Sequence, residues 1–211
     1  MKNGIINRYT SFASAIDLLA NKQITLLDPN SWDDKNDVHF MARYKEIVNA
    51  KSVFALCLSK SKQSYHHWRV FAGGQDGVCI TFFEDHFRRA FSDDPRVEIQ
   101  DIEYLSMPDA RKRKPLSEHN LKFLKHARYR AEQETRVVFT DKNRQVPFPK
   151  YEISLNAIQR ITLSPWLSKP LVQPMKDLMK KVDGCHELHV YSSTLVQYRD
   201  WQNLAPKDAE T

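Results

Sequence analysis

A chain of 211 residues has the length of one domain, or of one domain with an elaboration. Hydrophobic residues make up 41% and charged residues 27%, ordinary globular usage that excludes a disordered chain or a fibre, while 32 Lys and Arg against 26 Asp and Glu leave a net charge of +6 that attracts polyanions. No run approaches the roughly 18 apolar residues of a membrane span, the opening residues lack a signal peptide's apolar stretch, and three cysteines cannot build a disulfide framework, so a cytoplasmic protein without a membrane partner is expected.

In chain order, residues 4–9 read as a strand ending in Asn7-Arg8-Tyr9, and Ser11 caps a helix over 11–21 with Ala15, Ile16, Leu18 and Leu19 as its apolar stripe. Arg8, beside the free N–H groups of a helix start, is suited to a phosphate or pyrophosphate, although a surface arginine and an ordinary cap account for the same residues. A strand over 23–27 precedes Asp33, Asp34 and Asp37, which serve as cap and dipole partners of a helix over 35–49 without any metal. Strands follow at 52–59, ending in Cys57-Leu58-Ser59, and at 77–83; between them a helix over 64–72 places Trp68 and Phe71 on one face. That aromatic pair is either core or a stacking platform for a ring. Gly73, Gly74 and Gly77, three of only five glycines, mark the reversal into the next strand.

A helix is expected over 85–91 and a strand over 97–105, whose alternation suits a sheet with one wet face. Residues 108–115 form a basic loop carrying Arg111, Lys112, Arg113 and Lys114. The periodicity then predicts an amphipathic helix over 117–131, with Ser117 as its cap, a stripe of Leu121, Leu124, Ala127 and Ala131, and a wet basic side of Lys122, Lys125, His126 and Arg130, with Arg128 at its margin. It delivers into Glu132-Gln133-Glu134-Thr135-Arg136, where a strand starting near Glu132 would place both carboxylates and the guanidinium on one face. Chemically, one carboxylate there stabilises an oxocarbenium-like transition state and its neighbour orients the attacking group; otherwise the three residues are a self-neutralising surface ladder. Strands at 160–163 and 188–191 flank a helix over 170–182, and periodicity fades after Trp201, giving one domain over 1–200 and a tail over 201–211. Cys185, His186 and His189 lack a second pair of zinc ligands, and no glycine-rich phosphate loop of the Rossmann or P-loop type exists. The mixture of short strands and helices is assigned to the α+β class.

The order of these motifs resembles a widespread bacterial family of unassigned function, often carried beside phage-defence genes. Its marks are a K/R-Y strand, a P-x-x-F-N-D-P-F-[DE] segment, a C-x-S strand, a W-x-x-Y followed by a G-h-x-h-x-F block (h apolar), and a late E-x-E-x-R. They correspond here to Arg8-Tyr9, Pro29 with Trp32 to Asp37, Cys57-Leu58-Ser59, Trp68 and Phe71 with Gly77 to Phe82, and Glu132 to Arg136. Asp33, Lys35 and Phe71 depart from the family's Asn, Pro and Tyr.

The same order resembles the ADP-ribosyltransferase plan, a mixed split β-sandwich with surrounding helices that binds NAD without a glycine fingerprint. The resemblance implies Glu134 as the catalytic carboxylate and Glu132 as the group orienting the acceptor. Arg8, Tyr9, Ser59, Trp68 and Phe71 would form the NAD site, with Arg8 on pyrophosphate or ribose and Ser59 bracing. The expected activity is therefore an NAD-dependent toxin or phage-defence effector, with no metal. It would transfer ADP-ribose to a macromolecule, RNA before DNA or protein, through Arg111, Lys112, Arg113, Lys114, Lys122, Lys125, Arg128 and Arg130, and an antitoxin is a conceivable partner. A non-catalytic recognition module and an NAD glycohydrolase are the alternatives.

Overall fold

A computed structural model describes residues 4–113 and 116–205. The chain runs β1 (Ile5–Ser11), α1 (Phe12–Asn21), β2 (Gln23–Thr25), α2 (Lys35–Ile47), β3 (Ser52–Ser59), α3 (Tyr65–Val70), β4 (Gly77–Phe83), α4 (Glu84–Arg89) and β5 (Val97–Asp101). It continues with β6 (Glu103–Leu105), α5 (Met107–Lys112), β7 (Leu124–His126), β8 (Glu134–Asp141), β9 (Lys150–Glu152), β10 (Ile158–Leu163), α6 (Lys169–Lys181), β11 (Val190–Ser192) and α7 (Arg199–Gln202). Seven strands form one mixed sheet in the order β11-β10-β4-β1-β3-β8-β5, and β2 with β9 and β6 with β7 form two small ribbons. The α+β class is the one expected from the sequence. Among the described residues no helix is long and apolar enough to cross a membrane.

Local chemistry accounts for the elements that frame the cleft. Ser11 accepts a hydrogen bond from the Ser14 N–H at 3.1 Å and starts α1, whose Ala15, Leu18 and Leu19 are buried against the sheet. Central strands β3 and β8 are covered on both faces, so they read as near-continuous buried runs rather than alternating ones. One face carries the main core of Ile6, Ile80, Phe82, Leu56, Leu58, Val137 and Phe139; on the other, Met41 and Tyr44 of α2 pack with Val53, Ala55 and Val138, and Trp68 of α3 packs with Tyr9 and Cys79. Gly73 and Gly74, at φ 74° and 91°, turn the chain from α3 into β4, and a Cβ at Gly77 would stand 2.5 Å from the Ala72 carbonyl.

The sheet is nearly divided. Strands β1 and β4 are registered over seven pairs and β3 and β8 over eight, but β1 meets β3 only at Asn7 opposite Ser59. Further along, the N–H and C=O of Ala55 are both bonded to Leu27, at 2.9 Å each. On the side away from β8, residues 56–58 of β3 therefore face a gap in the sheet rather than a strand.

The largest departure from the sequence expectation is residues 117–131. Instead of one α-helix they form a 3-10 turn (Glu118–Phe123), strand β7 and a second 3-10 turn (Ala127–Glu132), and the Ser117 hydroxyl caps nothing. The apolar spacing is helical, but Lys122 is buried and paired with Glu98 and the Tyr44 hydroxyl, which no helix with a wet basic side could achieve. Tertiary ion pairs override local periodicity. Replacing Lys122 with Met should consequently shift the thermal midpoint while leaving nucleic-acid affinity unchanged, measured by melting and by strand binding on the same preparation. The expected basic loop is likewise helical as far as Lys112, Arg113 pairs with Glu103, and Lys114 lies outside the described residues.

Candidate functional site

The gap between β1 and β3 opens into a cleft of about 490 Å³, within the range that accommodates small ligands. It is lined from β1 by residues 7–11, from β3 by residues 55–59, from α3 and its turn by His66 and Phe71, from the segment before α2 by Trp32 and Asp34, and from the chain around β7 and β8 by Lys125, Tyr129, Glu132 and Glu134. Opposed residues in antiparallel strands share a face, so Asn7, Ser59 and Glu134 lie on one face of the sheet; Arg8 leaves β1 on the other. Both reach the cleft because the sheet is open there.

Glu134 sits in a buried charge cluster. Its Oε1 accepts from Arg136 Nε at 2.7 Å, and its Oε2 is 3.2 Å from Lys125 Nζ. The same Lys125 ammonium reaches Glu132 Oε2 at 2.7 Å and Asp37 Oδ2 at 3.3 Å, and Arg136 Nη2 donates to Asp37 at 2.8 Å. Arg136 is fully buried, donates to the Lys122 carbonyl and stacks over Trp32 at 4.8 Å. Burial would raise the Glu134 carboxyl, but Arg136 and Lys125 outweigh it and hold it at about 2. For Asp37 burial wins over the same two cations and its carboxyl is raised. Lys125 loses by burial and gains more from Glu134, Asp37 and Glu132, so its ammonium is stabilised.

The two glutamates converge by an unexpected route. The strand begins at Glu134, not Glu132; Gln133 takes the left-handed conformation at φ 44°, and the kink turns both carboxylates to one lysine. Because the group is buried, the surface ladder considered from the sequence is not what these residues form. The Glu134 N–H donates to the Tyr104 hydroxyl at 2.8 Å, and the Ser59 hydroxyl donates to the Glu132 carbonyl at 2.6 Å. Ser59 Oγ also lies 3.2 Å from Nε2 of buried His67, which burial biases toward the neutral form. On the open side His66 Nε2 is 3.4 Å from Glu132 Oε1.

Arg8 is in a different electrostatic position. It is only 8% exposed, and burial lowers its guanidinium to about 10. Among the described residues no carboxylate forms an ion pair with it and no side-chain hydrogen bond engages it, although the Asp17 carboxylate acts on it from beyond ion-pair distance. A nearly buried guanidinium that faces a cleft and is tied into no ion pair is a binding group for an anion.

The other expected site residues divide. Tyr9 lines the cleft while its ring stacks on His67 at 5.1 Å, and Phe71 forms part of the wall. Trp68 does not reach the cleft: it is fully buried, edge-on to Tyr9, with its N–H on Gln63, so the stacking platform reduces to Phe71. Lys125 lies inside the carboxylate cluster and Lys122 behind it, so neither belongs to an exposed basic face. Arg111, Lys112, Arg113, Arg128 and Arg130 are exposed, with Arg128 and Arg130 in the turn that ends at Glu132. Sequence reasoning missed Asp37, Trp32 and His66 as parts of the site, and gave Lys125 to nucleic-acid binding rather than to the carboxylate cluster. The signal for Asp37 was an acidic residue three positions into α2, which the dipole explained too easily. Among the described residues no three His, Cys, Asp or Glu side chains are placed to hold a metal ion.

A family model described as a protein of unknown function (DUF2971) matches residues 67–137. No curated protein matches the sequence. Among solved structures, the chain is similar to Thermus sp. 2.9 DarT in complex with ADP-ribosylated ssDNA, with 10% identity, 95% of this chain and 97% of that chain covered, and a TM-score of 0.49. It is also similar to the same Thermus protein in complex with NAD+, with 8% identity, 95% and 98% coverage and a TM-score of 0.47, and in complex with carba-NAD+, with 8% identity, the same coverage and a TM-score of 0.45.

Proposed function

We propose that the protein is an NAD-dependent ADP-ribosyltransferase acting as a toxin or defence effector, with single-stranded nucleic acid as acceptor. The observation that carries this reading is the pairing of unlike sites in one cleft. Lys125 bridges Glu132 and Glu134, and Arg8 lines the same cleft as a nearly buried cation tied into no ion pair.

Arg8 would hold the pyrophosphate, and Phe71 would wall the ring end of the dinucleotide. Ionised Glu134 would accept a hydrogen bond from the 2′-hydroxyl of the nicotinamide ribose as positive charge develops on the sugar. The bond from C1′ to the nicotinamide nitrogen breaks with its electron pair leaving on nicotinamide, and the acceptor's nucleophile forms the new bond to C1′. Glu132, steadied through its carbonyl by Ser59, would orient that nucleophile and take its proton. The exposed Arg128 and Arg130 beside Glu132 suit a polyanionic acceptor, but nothing in a phosphate contact distinguishes RNA from DNA. The preference for RNA expected from the sequence therefore rests on no residue of the site.

Incubation with NAD labelled on the adenylate phosphate, together with single-stranded DNA, RNA or lysate protein, tests the reading. Label entering one polymer supports it and names the acceptor; free ADP-ribose alone selects hydrolysis; no consumption of NAD with any acceptor sinks it. Arg8→Gln should raise KM for NAD by about ten- to a hundredfold, the worth of charge-assisted hydrogen bonds, with little change in kcat. An unchanged KM would remove Arg8 from the dinucleotide site.

A further inference from the structure

A second cavity, of about 370 Å³, lies at the far edge of the sheet between β10, β11 and the turn before α3. Its wall is made of Arg160, Gln63, Thr162, Tyr191, Ser193 and Thr194, and among the described residues no carboxylate lines it. Arg160 is half-buried there and makes neither an ion pair nor a side-chain hydrogen bond with any described residue.

Two features show that the cavity is built rather than incidental. Strand β10 has a bulge: Ile158 opposes Phe82 and Arg160 opposes Thr81, so one extra residue is inserted between them. Bulges re-aim side chains, and this one sets Arg160 on the same face as Glu134. Gln63 is fixed by its Oε1, which accepts from Trp68 Nε1 at 3.2 Å and from the Ser193 hydroxyl at 3.0 Å. Its amide N–H group is thereby left without a partner among the described residues. The cavity thus presents a guanidinium, an amide N–H group and several hydroxyls, a donor set with no competing negative charge. That chemistry recognises a phosphoryl group.

Register places the cavity relative to the cleft. Arg160, Thr81, Asn7, Ser59 and Glu134 oppose one another in turn across β10, β4, β1, β3 and β8, all on one face. Four inter-strand steps of about 4.8 Å separate the ends by roughly 19 Å, a few nucleotides of single strand. Thr81, Asn7 and Ser59 are themselves buried where α3 packs on that face through His67 and Trp68. A nucleic-acid strand joining the two sites therefore passes over the outer side of α3, where Tyr65 is exposed and Arg69 stacks on Trp166 at 4.0 Å, and reaches exposed Tyr191, stacked with His189 at the cavity wall. Cationic and aromatic groups interleaved in this way suit single-stranded nucleic acid.

We infer that the Arg160 cavity is a phosphate-binding subsite, occupied by a backbone phosphodiester of the acceptor strand a few nucleotides from the modified position. The strand as source rests on the transferase reading; the phosphoryl chemistry does not.

The test is binding without NAD, using short fluorescein-labelled single strands of DNA and RNA followed by anisotropy across a salt series, and inorganic phosphate followed by calorimetry. Arg160→Gln should loosen the strands about ten- to a hundredfold and reduce the salt slope by about 0.7, as for one lost phosphate contact, with Arg160→Lys recovering part of the loss. Arg160-dependent binding of inorganic phosphate without any effect on the strands would support the subsite and assign it to a free phosphate. Unchanged binding of both ligands would overturn the inference. Arg160→Gln should leave acceptor-free consumption of NAD and the thermal midpoint as in the parent, so a folding defect is separable. Absence of NAD consumption in the parent would strike the transferase reading and leave the Arg160 result standing.

Discussion

Replacing Glu134 with Gln is expected to lower NAD turnover by about 10³-fold while the protein remains folded. Both halves follow from the charge cluster. Three carboxylates, Asp37, Glu132 and Glu134, face two cations, Lys125 and Arg136. Neutralising one carboxylate leaves two against two, and a Gln amide oxygen can still accept from Arg136 Nε. The negative charge beside the ribose is lost, and with it the stabilisation of an oxocarbenium. Steady-state release of nicotinamide, with a melting curve on the same sample, checks both halves. Full activity in Glu134→Gln would return the two glutamates to a structural role.

The complementary substitution should do the opposite. Arg136→Met leaves three carboxylates with one cation in a dry site, and removing one partner of a buried pair costs about 3–5 kcal/mol. For a chain of this length that corresponds to a fall of roughly 6–20 °C in the thermal midpoint. Arg136→Lys is expected to rescue it poorly, since an ammonium can neither reach Glu134 and Asp37 as a fork nor stack on Trp32. In an Asp37→Asn background the loss should shrink, because the uncompensated charge is smaller; a double-mutant cycle reads this coupling. An Arg136→Met protein melting like the parent would show that the cluster is not a unit.

The cluster also sets an acid limit. Glu134 is held below its ordinary 4.5, so the stability it contributes is complete above that value and is lost as pH falls toward about 2. Asp37 acts in the other sense, since its raised carboxyl makes the ionised form a burden at neutral pH that protonation relieves. Melting against pH should therefore fall less steeply below 4.5 in Glu134→Gln than in the parent.

Much of the fold was legible in the amino-acid order because its elements report themselves locally. The Ser11 cap, the apolar runs of β3 and β4 and the Gly73-Gly74 reversal all act within a few residues. The E-x-E pair, Arg8 and Ser59 were visible as side chains with chemistry, and the register brings Ser59 opposite Glu134. What was illegible depends on partners far away. The spacing of Leu121, Leu124 and Ala127 is that of a helix, and Glu98, from the neighbouring edge strand, together with Asp37, on α2, which joins Glu132 and Glu134 around Lys125, accounts for Lys122 and Lys125 turning inward instead. The same holds for Arg160: a bulge defined by two strands re-aims it, and nothing in Ile158-Gln159-Arg160 announces that.

The opening between β1 and β3 carries one more implication. Along a strand the main-chain N–H and C=O alternate in direction, and those of Ala55 point toward Leu27, so those of Cys57 point into the cleft. A ligand that enters can thus be gripped by the polypeptide itself, in the manner of a short guest strand. Such recognition is indifferent to which side chain occupies position 57. A scan of alanine substitutions around the cleft would walk past it, and chains with unrelated residues at this position could keep the same preference for an amide-bearing ligand.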